Sequence, residues 1–183
     1  MYEVEVKAHL RNRKAVIKKL EDFGCKFSEE LHQVDRIFLP EGIPIPEPLG
    51  TPVFRVRKEN EKVLFTLKIT QSGRQDCIER ELEIMDGDKM IEIVKLLKFY
   101  EVPSVDKKRI KTHVGDVEVV LDTVKDLGDF IEAEKIVTHT DPEERKKIQE
   151  ELFDFLGTIG ISKEDRVIDG KYPIMLWEKF NKK

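Results

Sequence analysis

Residues 2–10 read Tyr-Glu-Val-Glu-Val-Lys-Ala-His-Leu, and their strict alternation predicts a β-strand with two faces of opposite character. In an extended strand, residues i and i+2 share a face. Glu3, Glu5 and Lys7 therefore stand on one side, and Val4, Val6 and Ala8 on the other. One such strand is ordinary, because most antiparallel sheets turn an apolar face to a core and a charged face to water. The weight comes from recurrence. Arg55 and Arg57 oppose Phe54 and Val56, and Thr66 and Lys68 oppose Phe65, Leu67 and Ile69. Glu79, Glu81 and Glu83 oppose Ile78, Leu82 and Ile84, with Arg80 an exception on the apolar side. Lys107, Arg109 and Lys111 share a face, and Glu118 and Asp122 oppose Val117, Val119 and Leu121. Glu132 and Glu134 oppose Ile131 and Ala133.

These polar faces are almost purely ionisable, and they segregate by strand into acidic and basic sets. Closing the sheet with helices outside would bury the apolar face under the helices and turn the charges into a lumen. About eight strands enclose room for one small ligand. Charges in a confined lumen are costly unless paired with each other, with ions or with a ligand. Acidic strands can hold Mg²⁺ or Mn²⁺ through carboxylate oxygens. Basic strands can clamp phosphate oxygens, with arginine doing so through two parallel bonds. Acid and base in one tunnel suit a metal-chelated polyphosphate.

The remaining sequence supports one domain over 1–183. Asn12 caps an expected helix carrying Val16, Ile17, Leu20 and Phe23 on one face, with Gly24 ending it. Phe27 to Phe38 reads as an irregular strand, and Pro40 to Pro52 as a loop, since proline at that density excludes a helix or central strand. Val53–Arg57 and Lys62–Ile69 form an expected hairpin, and Asp76–Met85 a strand after a turn at Ser72-Gly73. Asp86 or Asp88 starts a helix of about four turns with Met90, Ile93, Val94 and Leu97 on its apolar face. Strands follow at Val105–His113, Val117–Asp122 and Phe130–Thr138. Asp141-Pro142-Glu143-Glu144 starts a helix running to about Leu156. Ile168 to the end is helical in part, with Met175, Trp177 and Phe180 packing it on the barrel.

Charged residues make up 38% of the chain and hydrophobic ones 39%, with a net charge of −4. That balance fits a globular protein and gives no general drive toward nucleic acid or anionic membrane. Lys107-Lys108-Arg109 is too short a basic run to read as a nucleic-acid site. No apolar run approaches the roughly 20 residues of a membrane span, and the acidic start is unlike a signal peptide. Cys25 and Cys77 are isolated, as expected of reduced thiols in a cytoplasmic protein. His32, His113 and His139 have no zinc spacing. His9, on the face of Lys7, lines the lumen or fills it as a polar spacer.

Seven elements in order resemble the CYTH, or triphosphate tunnel metalloenzyme, superfamily, and within it class IV adenylyl cyclase-like proteins. They are Glu3-Val4-Glu5-Val6-Lys7, Arg55-Val56-Arg57, Thr66-Leu67-Lys68, Glu79/Glu81, Lys107-Lys108-Arg109, Leu121-Asp122 and Gly128 to Glu134. The resemblance implies an α+β fold: a closed eight-stranded antiparallel β-barrel with a polar lumen and helices packed outside. It implies Glu3, Glu5, Glu132 and Glu134 as ligands of Mg²⁺ or Mn²⁺, with Asp122 and Glu81 as further ones. It implies triphosphate binding by Lys7, Arg55, Arg57, Lys68 and Arg109, with Lys107 as an additional contact. Lys7, Glu81 and Asp122 are the candidates for a catalytic role. The activity implied is conversion of ATP to cyclic AMP and pyrophosphate; hydrolysis of an inorganic or organic triphosphate, or binding alone, would use the same tunnel. Two features depart from the pattern. Lys171-Tyr172 stands where Ser-Tyr is usual, and Pro40–Pro52 is a longer loop, expected at the tunnel mouth where nucleoside specificity would be set. The apolar strand faces leave room for a homodimer.

Overall fold

The computed structural model describes residues 2–71, 76–138, 141–168 and 170–181. Among them run β1 (Tyr2–His9), α1 (Arg13–Asp22), β2 (Leu31–Pro40), β3 (Pro52–Glu59), β4 (Lys62–Thr70) and β5 (Asp76–Ile84). Then come α2 (Gly87–Leu96), β6 (Phe99–Val114), β7 (Val117–Val124), β8 (Gly128–Val137), α3 (Pro142–Thr158), β9 (Arg166–Val167) and α4 (Tyr172–Asn181). The strands pair in the order β5-β4-β3-β2-β6-β7-β8-β1-β9, and β5 also pairs with β1, which closes an eight-stranded ring. Every pairing in it is antiparallel. β9 adds to β1 outside the ring, opposite Lys7 and Ala8.

The alternation sorts the two faces as the sequence predicts. Val4, Val6 and Ala8 join Val119, Leu121, Ile131 and Ala133 in a buried cluster with Val16 and Leu20 of α1 and Leu152, Phe153 and Leu156 of α3. These helices cover the outer surface of β1, β7 and β8, so the opposite faces of those strands point into the barrel. A second cluster packs α2, through Ile91 and Val94, on Phe38 and Val56. Gly87 permits this approach, because a Cβ there would lie 2.9 Å from Val63 Cγ1. A third joins Tyr172 and Leu176 of α4 to Ile37, Val102, Val105 and Phe130, so α4 packs across one side of an apolar end of the barrel.

Caps appear where the sequence places them. The Asn12, Asp86 and Asp141 side chains accept from Ala15, Lys89 and Glu143 N–H, and Pro142 opens α3. Several boundaries move. α2 spans 10 residues rather than four turns, and Ile93 and Leu97 are exposed while Ile91 takes the core position. Phe23 is likewise exposed. β2 starts at Leu31, not Phe27, and β6 starts at Phe99, six residues before the expected Val105. Pro103 hides that extension from a sequence reading. The β2–β6 register shifts between Asp35 and Ile37, so the proline sits opposite a bulge, where a missing N–H breaks no ladder. The expected turn at Ser72-Gly73 and His139 lie outside the described residues.

Candidate active site in the tunnel

The inward faces enclose a cavity of about 290 Å³. The ladders explain which side chains meet there. In β1–β8, Glu5 stands opposite Glu134 and Lys7 opposite Glu132. In β2–β3, Asp35 stands opposite Arg57. In β4–β5, Thr66 stands opposite Glu81 and Lys68 opposite Glu79. In β6–β7, Arg109 stands opposite Asp122. Each pair is fixed by register, so the backbone itself sets the charge pattern.

One wall is acidic. Glu3, Glu5 and Glu134 each offer a carboxylate oxygen, all within 4.8 Å of one another. Burial, and then the repulsion of Glu5, Glu132 and Glu3, raise the Glu134 carboxyl well above its ordinary value. Burial also raises Glu3, against the pull of Lys68 and with the repulsion of Glu79 and Glu5. Carboxylates forced together out of water in this way are short of positive charge. Three converging oxygen donors are the donor set a hard divalent cation takes, so the residues present fit Mg²⁺ or Mn²⁺.

The facing wall is basic, and its cations are already paired. Arg57 donates to both oxygens of Asp35 at 2.6 and 2.8 Å. Burial would raise Asp35, but the Arg57 guanidinium holds it well below the usual carboxylate range. Arg55 bonds Glu79, Glu81 and Thr66, each at 3.0 Å, and Lys68 lies 2.5 Å from Glu79. Arg109 donates to Asp122 at 2.7 and 2.6 Å and to Glu132 at 2.6 Å. Lys107 lies 3.3 Å from Asp122; burial and the nearby Arg109 push it down to about 8, against the pull of Asp122 and Glu132. Lys7 lies 3.1 Å from Glu132 and 3.3 Å from Glu5. Burial would lower Lys7, but these two carboxylates raise it, so it stays a cation.

The geometry sorts the residues singled out by sequence. Glu3, Glu5 and Glu134 come together. Glu132 does not join them, being committed to Lys7 and Arg109. Asp122 is wholly buried, with Arg109, Lys107 and the Tyr172 hydroxyl (3.1 Å) all directed at its carboxylate. Glu81 accepts from Arg55 and Thr66 and keeps its side chain 37% exposed. Lys7, Arg55, Arg57, Lys68, Lys107 and Arg109 all line the cavity. His9 is exposed, its ring tilted at 38° against Phe130 with centroids 4.7 Å apart.

Sequence reasoning missed Asp35, which stands on β2 as a lone acid among uncharged inward neighbours. It also assigned no role to Glu47, to Lys171, or to Tyr172, whose ring lies 4.1 Å below Lys7 Nζ.

The profile of the CYTH domain matches residues 1–170. The chain belongs to the CYTH family. A Methanocaldococcus jannaschii protein named as a candidate adenylate cyclase is 32% identical over 174 residues, covering 94% of this chain and 97% of its own. A solved Pyrococcus horikoshii structure shares 32% identity with a TM-score of 0.76, over 95% of this chain and 98% of that one. A Hippeastrum protein described as having a dominant triphosphatase activity shares the fold at 17% identity and a TM-score of 0.58, over 98% of this chain and 96% of its own. CYTH proteins are metal-dependent and bind triphosphates, which agrees with the two walls of this tunnel. No described helix is long and apolar enough to cross a membrane.

Proposed function

We propose that this CYTH protein is a metal-dependent enzyme that converts a nucleoside triphosphate, ATP in the first instance, to a cyclic nucleotide and pyrophosphate. The observation that carries the reading is the convergence of Glu3, Glu5 and Glu134 within 4.8 Å on one wall, facing Arg55, Arg57, Lys68 and Arg109 across a single cavity. Acidic and basic side chains line that cavity in equal number. A triphosphate entering alone would leave the site negative, and a divalent cation on the three glutamates would offset the excess. Bound there, Mg²⁺ or Mn²⁺ would polarise phosphoryl oxygens and neutralise charge on the leaving group.

The chain's own residues do the rest. Arg55, Arg57, Lys68 and Arg109 hold and orient the phosphates, exchanging part of their contacts with carboxylates for phosphate oxygens. Lys7 serves as a fixed cation. Asp122, with Tyr172, holds Lys107 and Arg109 in place. Glu81, partly open to the cavity, is the proposed acceptor of the nucleophile's proton. For cyclisation the ribose 3′-hydroxyl attacks the α-phosphorus, the bond to the bridging oxygen breaks, and pyrophosphate leaves.

A second reading is hydrolysis of the triphosphate to orthophosphate. The cavity volume of about 290 Å³ favours it, being at the small end of ligand pockets and ample for the phosphate chain. The Hippeastrum relative lends it support. Incubating the purified protein with ATP or inorganic triphosphate, with Mg²⁺ or Mn²⁺, separates the two. Cyclic AMP with pyrophosphate marks the cyclase, and orthophosphate marks the hydrolase. If neither substrate is turned over under any of these conditions, the enzyme reading is wrong.

A further inference from the structure

The cavity has an apolar end that the phosphate chemistry does not use. Ile37, Leu39, Ile45, Val53 and Val102 line it, and a phosphate chain gains nothing from such walls. Two charged groups stand among them. Lys171 Nζ donates to Glu47 Oε1 at 3.0 Å and to Thr70 Oγ1 at 2.7 Å, and both Lys171 and Glu47 line the cavity.

Both are held from behind. Glu47 belongs to the 41–51 loop, whose backbone is restricted by Pro44, Pro46 and Pro48. Gly50 N–H donates to the Thr70 carbonyl at 2.8 Å, and the Tyr100 hydroxyl donates to the Ile43 carbonyl at 2.6 Å. Lys171 follows Gly170, where a Cβ would come within 2.6 Å of Val167 Cγ1. A side chain at 170 would press on Val167 and Met175, so glycine keeps this segment packed close where it brings Lys171 to the cavity. Thr70 is two residues from Lys68 on the same strand face, so the pair sits about 7 Å past a phosphate-binding lysine. That is where the organic part of a triphosphate would extend.

We propose that Glu47 and Lys171 read the base of a nucleoside triphosphate. The carboxylate accepts from an amino or ring N–H group, and the ammonium donates to the neighbouring ring nitrogen or carbonyl. Mostly apolar walls with a few converging polar groups are the usual form of a small-molecule subsite. With no base present the two charges satisfy each other, so the empty subsite leaves neither stranded. This assignment rests on the triphosphate reading above and names the part of the substrate that the phosphate wall ignores.

The test is substrate selectivity. With Mg²⁺ present, kcat/KM is measured for ATP, GTP, CTP, UTP and inorganic triphosphate in the wild type and in Glu47→Gln, Lys171→Met and Lys171→Arg. The wild type should rank the four nucleotides. Glu47→Gln and Lys171→Met should lower the preferred nucleotide by about tenfold or more and flatten the ranking, while inorganic triphosphate changes by less than about threefold. Lys171→Arg should restore part of the ranking. Equal losses on nucleotide and inorganic triphosphate would overturn the proposal and leave the pair a strap joining the loop to α4. Should nothing be turned over, calorimetry with Mg²⁺ decides. Binding of inorganic triphosphate without preference for any nucleotide refutes the base subsite alone, and binding of neither refutes the triphosphate reading as well.

Discussion

The acidic and basic walls of the tunnel come from the same kind of strand, yet they solve the problem of buried charge in opposite ways. On the basic wall every cation has a carboxylate partner: Arg57 has Asp35, Arg109 and Lys107 share Asp122, and Arg55 and Lys68 share Glu79. On the acidic wall Glu3, Glu5 and Glu134 crowd together, and burial with mutual repulsion raises Glu134 and Glu3. The fold therefore carries counterions for its basic side chains, and the proposed cation would complete a carboxylate cluster in which Lys7 reaches Glu5 at 3.3 Å. One wall is preorganised by pairing; the other is preorganised by frustration.

The largest effect should come from the frustrated wall. Glu5→Gln removes one of three converging carboxylates and should cut metal-dependent turnover about 100- to 1,000-fold. Its melting temperature in chelator should not fall, because a crowded charge is removed. A variant that melts earlier in chelator would show the cluster to be self-satisfied. The paired wall should behave in reverse. Arg57→Ala strands Asp35, whose side chain is 6% exposed, and should cost about 3–5 kcal/mol in urea unfolding. Adding Asp35→Ala should recover part of that loss, and no recovery would mean the pair does not act as a unit.

A pH scan sharpens the contrast further. Glu134 and Glu3 have folded values above the ordinary 4.5, so over that window the folded state binds more protons than the unfolded one. Stability of the metal-free protein should then fall as pH rises from 4.5 toward the raised values, and Mg²⁺ should flatten the decline. Asp35 works in the opposite direction. Its lowered value gives stability that is present above 3.8 and lost as pH falls below it. A melting temperature that rises with pH above 4.5 without Mg²⁺ would contradict the crowding of the acidic wall. The smallest effect belongs to Tyr172→Phe. Losing the 3.1 Å bond to Asp122 should cost about 1 kcal/mol, since Arg109 and Lys107 still satisfy that carboxylate.

Much of this was legible in the sequence because a strand has a period of two. Parity placed Glu3, Glu5, Arg55, Arg57, Lys68, Arg109 and Glu134 on the polar faces, and the family resemblance implied the eight-stranded closure that turns those faces inward. What parity cannot give is which inward charge pairs with which. Asp122 and Glu132, which the family resemblance implies as metal ligands, meet Lys107, Arg109 and Lys7 from neighbouring strands. Asp35 alternates regularly with Gln33 and Ile37 on β2 but stands alone as an acid among uncharged inward neighbours, and Pro103, at the bulge of β6, masked the first third of that strand. Glu47 and Lys171 lie on irregular backbone, where spacing carries no directional information.

Among the described residues the ring is closed unevenly: β1 meets β8 along its whole length, from Tyr2 to His9, and meets β5 at Glu3–Cys77 and Val4–Asp76. Among the described residues this ladder is the shortest junction of the ring, and local opening concentrates where few bonds must break. Amide hydrogens on β5 beside Glu3 should exchange with solvent sooner than those of β1 that face β8. Opening at that ladder would bring the carboxylates into reach of small hydrated ions from the side of the barrel.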